Sequence, residues 1–181
     1  MKVKPGIKIA ISGKSGCGNS TVSRLTAERL GLRMINYTFH TVAQEKGMDF
    51  HTLCKLAETD PEWDFLVDTR QKELAQEGNC VLGSRLAVWL LPDADLKVFL
   101  DAPLEVRAQR ICKREGGDYN RILEETRQRD KRDHERFLKL YNIDNNQYQF
   151  VDLIIDTTNL TPEQIVDRIV ERALQIPGGE K

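Results

Sequence analysis

The run Gly13-Lys14-Ser15-Gly16-Cys17-Gly18-Asn19-Ser20, followed by Thr21, gathers residue types that bind phosphate. Glycines let successive backbone N–H groups turn inward onto anionic oxygens, and a helix start behind them adds positive potential. Ser20 falls where the hydroxyl of a G-x-x-x-x-G-K-[ST] phosphate loop meets Mg²⁺. The lysine of that pattern, which reaches the β- and γ-phosphates, is replaced by Asn19. Losing one charge-assisted hydrogen bond costs about 1.5–3 kcal/mol, or about ten- to a hundred-fold in binding. Lys14, second in the loop, is the candidate to compensate; the competing reading is a solvated surface lysine. Cys17 lies where N–H groups favour a thiolate, so it is expected to be the most reactive of the four cysteines. The competing reading is a small residue chosen for fit.

Further cations lie downstream. Arg85 follows an apolar run, where its two-pronged donor fork can hold a phosphate. Arg107, Arg110 and Arg114 share helical spacing after Pro103, and Arg121, Arg127, Arg129, Arg132 and Arg136 follow the break at Gly116-Gly117. Two arginine-bearing helices joined by a glycine turn suit a lid over residues 110–136 that closes on a transferring phosphoryl group. Interleaved acids such as Glu124, Asp130 and Asp133 support a plainer alternative, salt-bridged surface helices. Asp101 ends another apolar run and is a candidate to hold a Mg²⁺-bound water or to cap a helix.

These residues need a scaffold that brings loop ends together. Apolar runs at about Ile7–Ser12, Arg33–Asn36, Cys80–Gly83, Leu96–Asp101 and Leu153–Asp156 are near-continuous rather than alternating, as in a parallel sheet covered on both faces. Helical segments separate them, and two have marked starts: Asp60-Pro61-Glu62 and the capping box Thr161-Pro-Glu-Gln164. The pattern is α/β: a five-stranded parallel sheet with phosphate bound beyond the carboxyl ends of its strands. The 181 residues suffice for one domain, 1–181, at 40% hydrophobic and 30% charged residues. A formal net charge of −1 gives no basic field for nucleic acid. The longest clear apolar run, Leu86–Leu91, is far shorter than a membrane span, and Met1–Gly6 is no signal peptide. A cytoplasmic monomer, acting on small molecules rather than nucleic acid or membrane, is expected. The cysteines form no C-x-x-C pair and the three histidines are scattered, so neither a disulfide framework nor a zinc site is expected.

Several stretches, in order along nearly the whole chain, resemble the cytidylate kinases, chiefly their compact archaeal-type group. They are Lys97-Val-Phe-Leu-Asp-Ala-Pro-Leu-Glu-Val-Arg-Ala108, Lys113-Arg-Glu-Gly116, Leu140-Tyr-Asn-Ile-Asp144 and Asp152-Leu-Ile-Ile-Asp-Thr157. Glu45-Lys-Gly-Met48, Arg70-Gln-Lys72 and Arg85-Leu-Ala87 are similar too. The resemblance implies transfer of the γ-phosphoryl of ATP to CMP or dCMP with Mg²⁺, and a helical acceptor-binding region over 38–78. By this resemblance Gly13, Gly18, Ser20 and Thr21 match the ATP phosphate loop, so that the whole run Gly13, Ser15, Gly16, Cys17, Gly18, Asn19, Ser20 and Thr21 is expected to bind ATP. Arg85 matches an arginine placed for the nucleoside monophosphate, Arg110 and Arg114 fall in the lid helix, and Arg129, Asp133 and Arg136 match a segment that contributes acceptor and phosphate contacts. Three positions depart from the family's pattern. Asn19 replaces the loop lysine, Gly83 an acidic residue, and His40 an arginine of the acceptor region. They leave two other readings open: a nucleotide-binding protein without phosphotransferase activity, and a phosphate-loop kinase for another small acceptor.

Overall fold

The computed structural model describes residues 2–178; residues 1 and 179–181, the ends of the expected 1–181 domain, lie outside the described residues. The elements run β1 (Lys8–Gly13), α1 (Asn19–Leu30), β2 (Arg33–Ile35), α2 (Phe39–Lys46), α3 (Phe50–Ala57), α4 (Glu62–Ala75), β3 (Cys80–Gly83), α5 (Ala87–Leu90), β4 (Leu96–Asp101), α6 (Leu104–Glu115), α7 (Tyr119–Tyr141), β5 (Leu153–Asp156) and α8 (Pro162–Leu174). All five strands are parallel, in the order β2-β3-β1-β4-β5. Each expected strand is present to within a residue at either end.

The pleat sends alternate residues to opposite faces. Ile9 and Ile11 join Val81, Val98 and Leu100 under Val22 of α1 and Ile165 and Ile169 of α8. Ala10, Cys80 and Leu82 face the other way, onto Ala75, Ala87, Val88 and Leu91. This two-sided burial explains the near-continuous apolar sequence of the central strands. At the edge the cover thins: Ile154 of β5 is 46% exposed. Helix starts follow the sequence signals. Thr161 Oγ1 accepts from the Gln164 N–H while Gln164 Oε1 accepts from the Thr161 N–H, and Asp60 accepts from the Glu62 N–H.

Register fixes the functional edge. Gly13 pairs with Leu100, and Ile11 with Gly83. The residues just beyond β1, β3 and β4 are therefore neighbours at one end of the sheet. Helices α2, α3 and α4 fill the 38–78 segment between β2 and β3, and α6 and α7 form an antiparallel pair joined at Gly116-Gly117.

Candidate functional site

The phosphate loop curls between β1 and α1. Gly16 and Gly18 take left-handed φ of 84° and 88°, a conformation other residues adopt only with strain. Gly16 also admits no side chain, because a Cβ there would lie 2.8 Å from the carbonyl oxygen of Arg107. Gly13, Lys14, Ser15, Gly16, Gly18, Asn19, Ser20 and Thr21 line a cavity of about 360 Å³ together with Arg85, Arg110 and Arg114. The structure thus brings together the loop and three of the expected arginines.

Not every loop residue takes its expected place. Asn19 turns back on the loop: its Nδ2 donates to the carbonyl oxygen of Gly13 at 2.8 Å, and its Oδ1 is buried without a partner. Lys14 reaches across to the chain after α7, its Nζ donating to Asn146 Oδ1 at 2.8 Å. Cys17 departs from the reactive-thiol expectation. Its side chain is 2% exposed in the core beneath the loop, and burial, opposed by the charge of Arg107, pushes its pKa up to about 11. A core position excludes solvent and disfavours the thiolate more than the helix start favours it. Cys17 is therefore expected to alkylate more slowly than Cys54 or Cys112 in the folded protein, as followed by mass spectrometry. Preferential labelling of Cys17 would contradict its buried placement.

The arginines of α6 divide into separate roles. Arg107 is 4% exposed and turns inward instead of joining Arg110 and Arg114. It donates to both carboxylate oxygens of Asp130 on α7, at 3.1 and 2.7 Å, and to the carbonyl oxygens of Ser15 and Ala102. Arg110 donates to Thr157 Oγ1 at 2.9 Å and to its carbonyl oxygen at 2.6 Å, and also to the Gly16 carbonyl oxygen at 3.4 Å. Arg129 donates to Ser15 Oγ at 3.2 Å, whereas Arg114 is exposed and pairs with Glu115. Three of these arginines tie α6 and α7 to the phosphate loop itself. Glu124 pairs with Arg127 on the open surface, so part of the plainer salt-bridge reading also holds.

A second cavity of about 670 Å³ adjoins the first. Phe39, Cys54, Ala57 and Glu58 line one side, and Arg85, Arg129, Arg132, Asp133 and Arg136 the other. Asp133 is 9% exposed and organises the cations: it pairs with Arg85, and Arg136 stands 4.0 Å from it. Arg85 borders both cavities. His40 is outside this group; its exposed ring stacks on Phe50 at 3.6 Å and 6°, and its neighbour Phe39 lines the cavity instead. Asp101 is also absent from the phosphate cavity's lining. The phenol pKa of Tyr148 is raised by burial and by the nearby charge of Asp101. Among the described residues no group of three or more His, Cys, Asp or Glu is placed to hold a metal ion.

At Gly83 the family's acidic side chain is sterically excluded. A Cβ there would lie 2.0 Å from Ser23 Oγ and 2.6 Å from Ser23 Cβ, so α1 packs Ser23 into the space that side chain would need. Gly83 and Ser23 are a matched pair.

Fold and site define a phosphate-loop kinase architecture with two adjoining cationic cavities. Solved structures agree on the fold: the shikimate kinase of Bacteroides thetaiotaomicron superposes with a TM-score of 0.63 at 16% identity, covering 92% of this chain and 97% of that one. Deoxyadenosine kinase from M. mycoides with bound dATP gives 0.55 at 17% identity, covering 92% and 98%. The family model described as the cytidylate kinase-like family matches residues 8–159. Cytidylate kinase 2 of Borrelia garinii is 46% identical over 167 residues, 90% of this chain and 94% of that protein. The cytidylate kinase of Pyrococcus horikoshii is 42% identical over 164 residues, covering 90% and 85%. The chain belongs to the cytidylate kinase-like family.

Proposed function

We infer that this protein is an ATP-dependent nucleoside monophosphate kinase acting on CMP or dCMP. One observation carries the reading most directly: Arg85 borders both the phosphate-loop cavity and the cavity beside Asp133 and Arg136. A donor triphosphate in the first and an acceptor monophosphate in the second would meet at a single guanidinium. The names of the relatives support CMP as acceptor, against a nucleotide-binding protein without transfer and against a kinase for another acceptor.

In the reaction, an oxygen of the acceptor phosphate attacks the γ-phosphorus in line. The bond to the ADP oxygen breaks, and ADP leaves as the diphosphate product forms. Little covalent help is needed, since positioning and charge neutralisation supply most of the rate. The loop's N–H groups hold the donor phosphates. Arg85 and Arg136 hold the acceptor phosphate, while Arg110, Arg114 and Arg129 of the α6–α7 lid supply cations near the transferring group. Ser20, which lines the loop cavity, is the residue suited to hold a Mg²⁺ ion, which when bound would help neutralise the charge of the donor phosphates. Asp101 is a less suitable partner because it does not line that cavity.

Lys14 takes over part of the absent lysine's task. It lines the loop cavity, whereas the Asn19 amide is tied to Gly13. Lys14→Ala is expected to weaken ATP binding or turnover by about ten-fold or more, the size of a lost charge-assisted bond. Wild-type behaviour in that variant would return Lys14 to the role of a surface residue held by Asn146. The assignment as a whole is tested by ADP release over a panel of nucleoside monophosphates with ATP and Mg²⁺. Turnover with CMP or dCMP is expected. Turnover with another acceptor alone, or tight ATP binding without turnover, would favour the alternatives.

A further inference from the structure

Helix α4 carries Asp64, Asp68 and Gln71 at spacings of four and three, a single stripe along its surface. A helix stripe turned toward a neighbouring helix is ordinarily apolar. Here it lines a cavity of about 110 Å³ that also touches Arg85 and, on α7, Arg136 and Tyr141. Asp64 is 8% and Gln71 7% exposed. Gln71 Nε2 donates to the carbonyl oxygen of Tyr37 at 2.8 Å. That bond orients the amide, so Oε1 is the remaining prong, and it is buried with no partner. A buried carbonyl oxygen without a donor costs stability unless another molecule supplies the donor. Asp68 accepts from the Tyr141 hydroxyl and keeps further lone pairs free. Asp64 is occupied by Arg136 at 3.3 Å. Burial raises the pKa of both carboxyls, as expected where carboxylates are short of donors. The cavity therefore offers acceptors beside Arg85, the residue assigned to the acceptor phosphate.

We propose that Asp68 and Gln71 Oε1 accept the two hydrogens of the exocyclic amino group of a cytosine base, and so select cytosine over uracil. The proposal rests on the reading that the adjoining cavity takes CMP or dCMP. Cytosine presents an amino donor where uracil presents a carbonyl acceptor. Uracil would set oxygen against oxygen in a buried site, leaving all of them unpaired. Asp64 serves as a positioning residue, holding the Arg136 guanidinium toward the phosphate.

The test compares CMP with UMP, by calorimetric binding and by phosphoryl transfer, in the wild type, Asp68→Asn and Gln71→Met. The wild type is expected to prefer CMP by about a hundred-fold or more, as a site built to hydrogen-bond its substrate rejects an analogue that leaves it unpaired. In Asp68→Asn the new amide can donate to the uracil carbonyl, so CMP weakens by about ten-fold, UMP gains, and the preference collapses. Gln71→Met weakens CMP alone. A merely structural role would weaken both nucleotides together. Equal use of CMP and UMP by the wild type, or a preference unchanged in both folded variants, would overturn the proposal and leave the kinase assignment standing. Preference for CMP in binding that depends on Asp68, without phosphoryl transfer, would uphold the proposal and overturn the kinase assignment. Failure to bind either nucleotide would overturn both.

Discussion

Replacing Arg85 with alanine is expected to lower kcat/KM for the acceptor nucleotide by about 10²–10³-fold, while ATP affinity changes far less. Arg85 extends from the end of β3 into the space between the two cavities, held by Asp133. Removing one preorganised donor aimed at the charge of the reacting group costs about 10²–10³-fold in rate. Here both the acceptor phosphate and Asp133 would lose their fork. Arg85→Lys keeps the charge but loses the two-pronged geometry, so its kcat/KM is expected between wild type and alanine. Steady-state kinetics with each substrate varied in turn, alongside ATP binding, separates the effects. An alanine variant with near-normal acceptor kinetics would remove Arg85 from the site.

The second large effect concerns stability. Arg107→Met is expected to destabilise the fold by about 3–5 kcal/mol, because it strands the Asp130 carboxylate in a mostly buried position. At about 2–4 °C per kcal/mol for a chain of this size, the midpoint of thermal unfolding should fall by roughly 6–20 °C. The double variant Arg107→Met with Asp130→Leu should recover much of that loss, since an apolar pair can replace a buried ion pair at little cost. Arg107 also holds the Ser15 carbonyl oxygen, so the single variant should loosen the phosphate loop and raise the KM for ATP. A midpoint shift below about 2 °C would mean that Asp130 finds solvent or another partner when Arg107 is lost.

How much could be read from the sequence depended on whether the signal was local. The phosphate loop, the five strands and the capping box at Thr161 are set by neighbouring residues, and each is present where its pattern places it. Arg85, Asp133 and Arg136 were legible as candidates, but their meeting in a single cavity depends on α7 crossing back over the end of β3, which no local pattern encodes. Arg107 illustrates the same gap. Its spacing matches Arg110 and Arg114, yet it turns into the protein because Asp130 waits on the paired helix. Cys17 sits in a phosphate loop by sequence and in the hydrophobic core by packing, and burial decides its chemistry. His40 shows how a ring stacked on Phe50 can leave the site that its neighbour Phe39 lines. The α4 stripe had a visible signature, polar residues at spacings of four and three. Its meaning emerged only when α7 closed a cavity over it.

Phosphoryl transfer is expected to survive the exchange of the loop lysine for Asn19, because the surrounding cations serve the same phosphates. The most direct measurement incubates the purified protein with Mg²⁺, CMP and ATP labelled in its γ-phosphoryl group, and separates the nucleotides by chromatography. Label is expected in CDP, in an amount equal to the ADP formed. Label that stays in ATP, or that appears only as inorganic phosphate, while ATP remains bound to the protein, would mean that the exchange at Asn19 has abolished transfer.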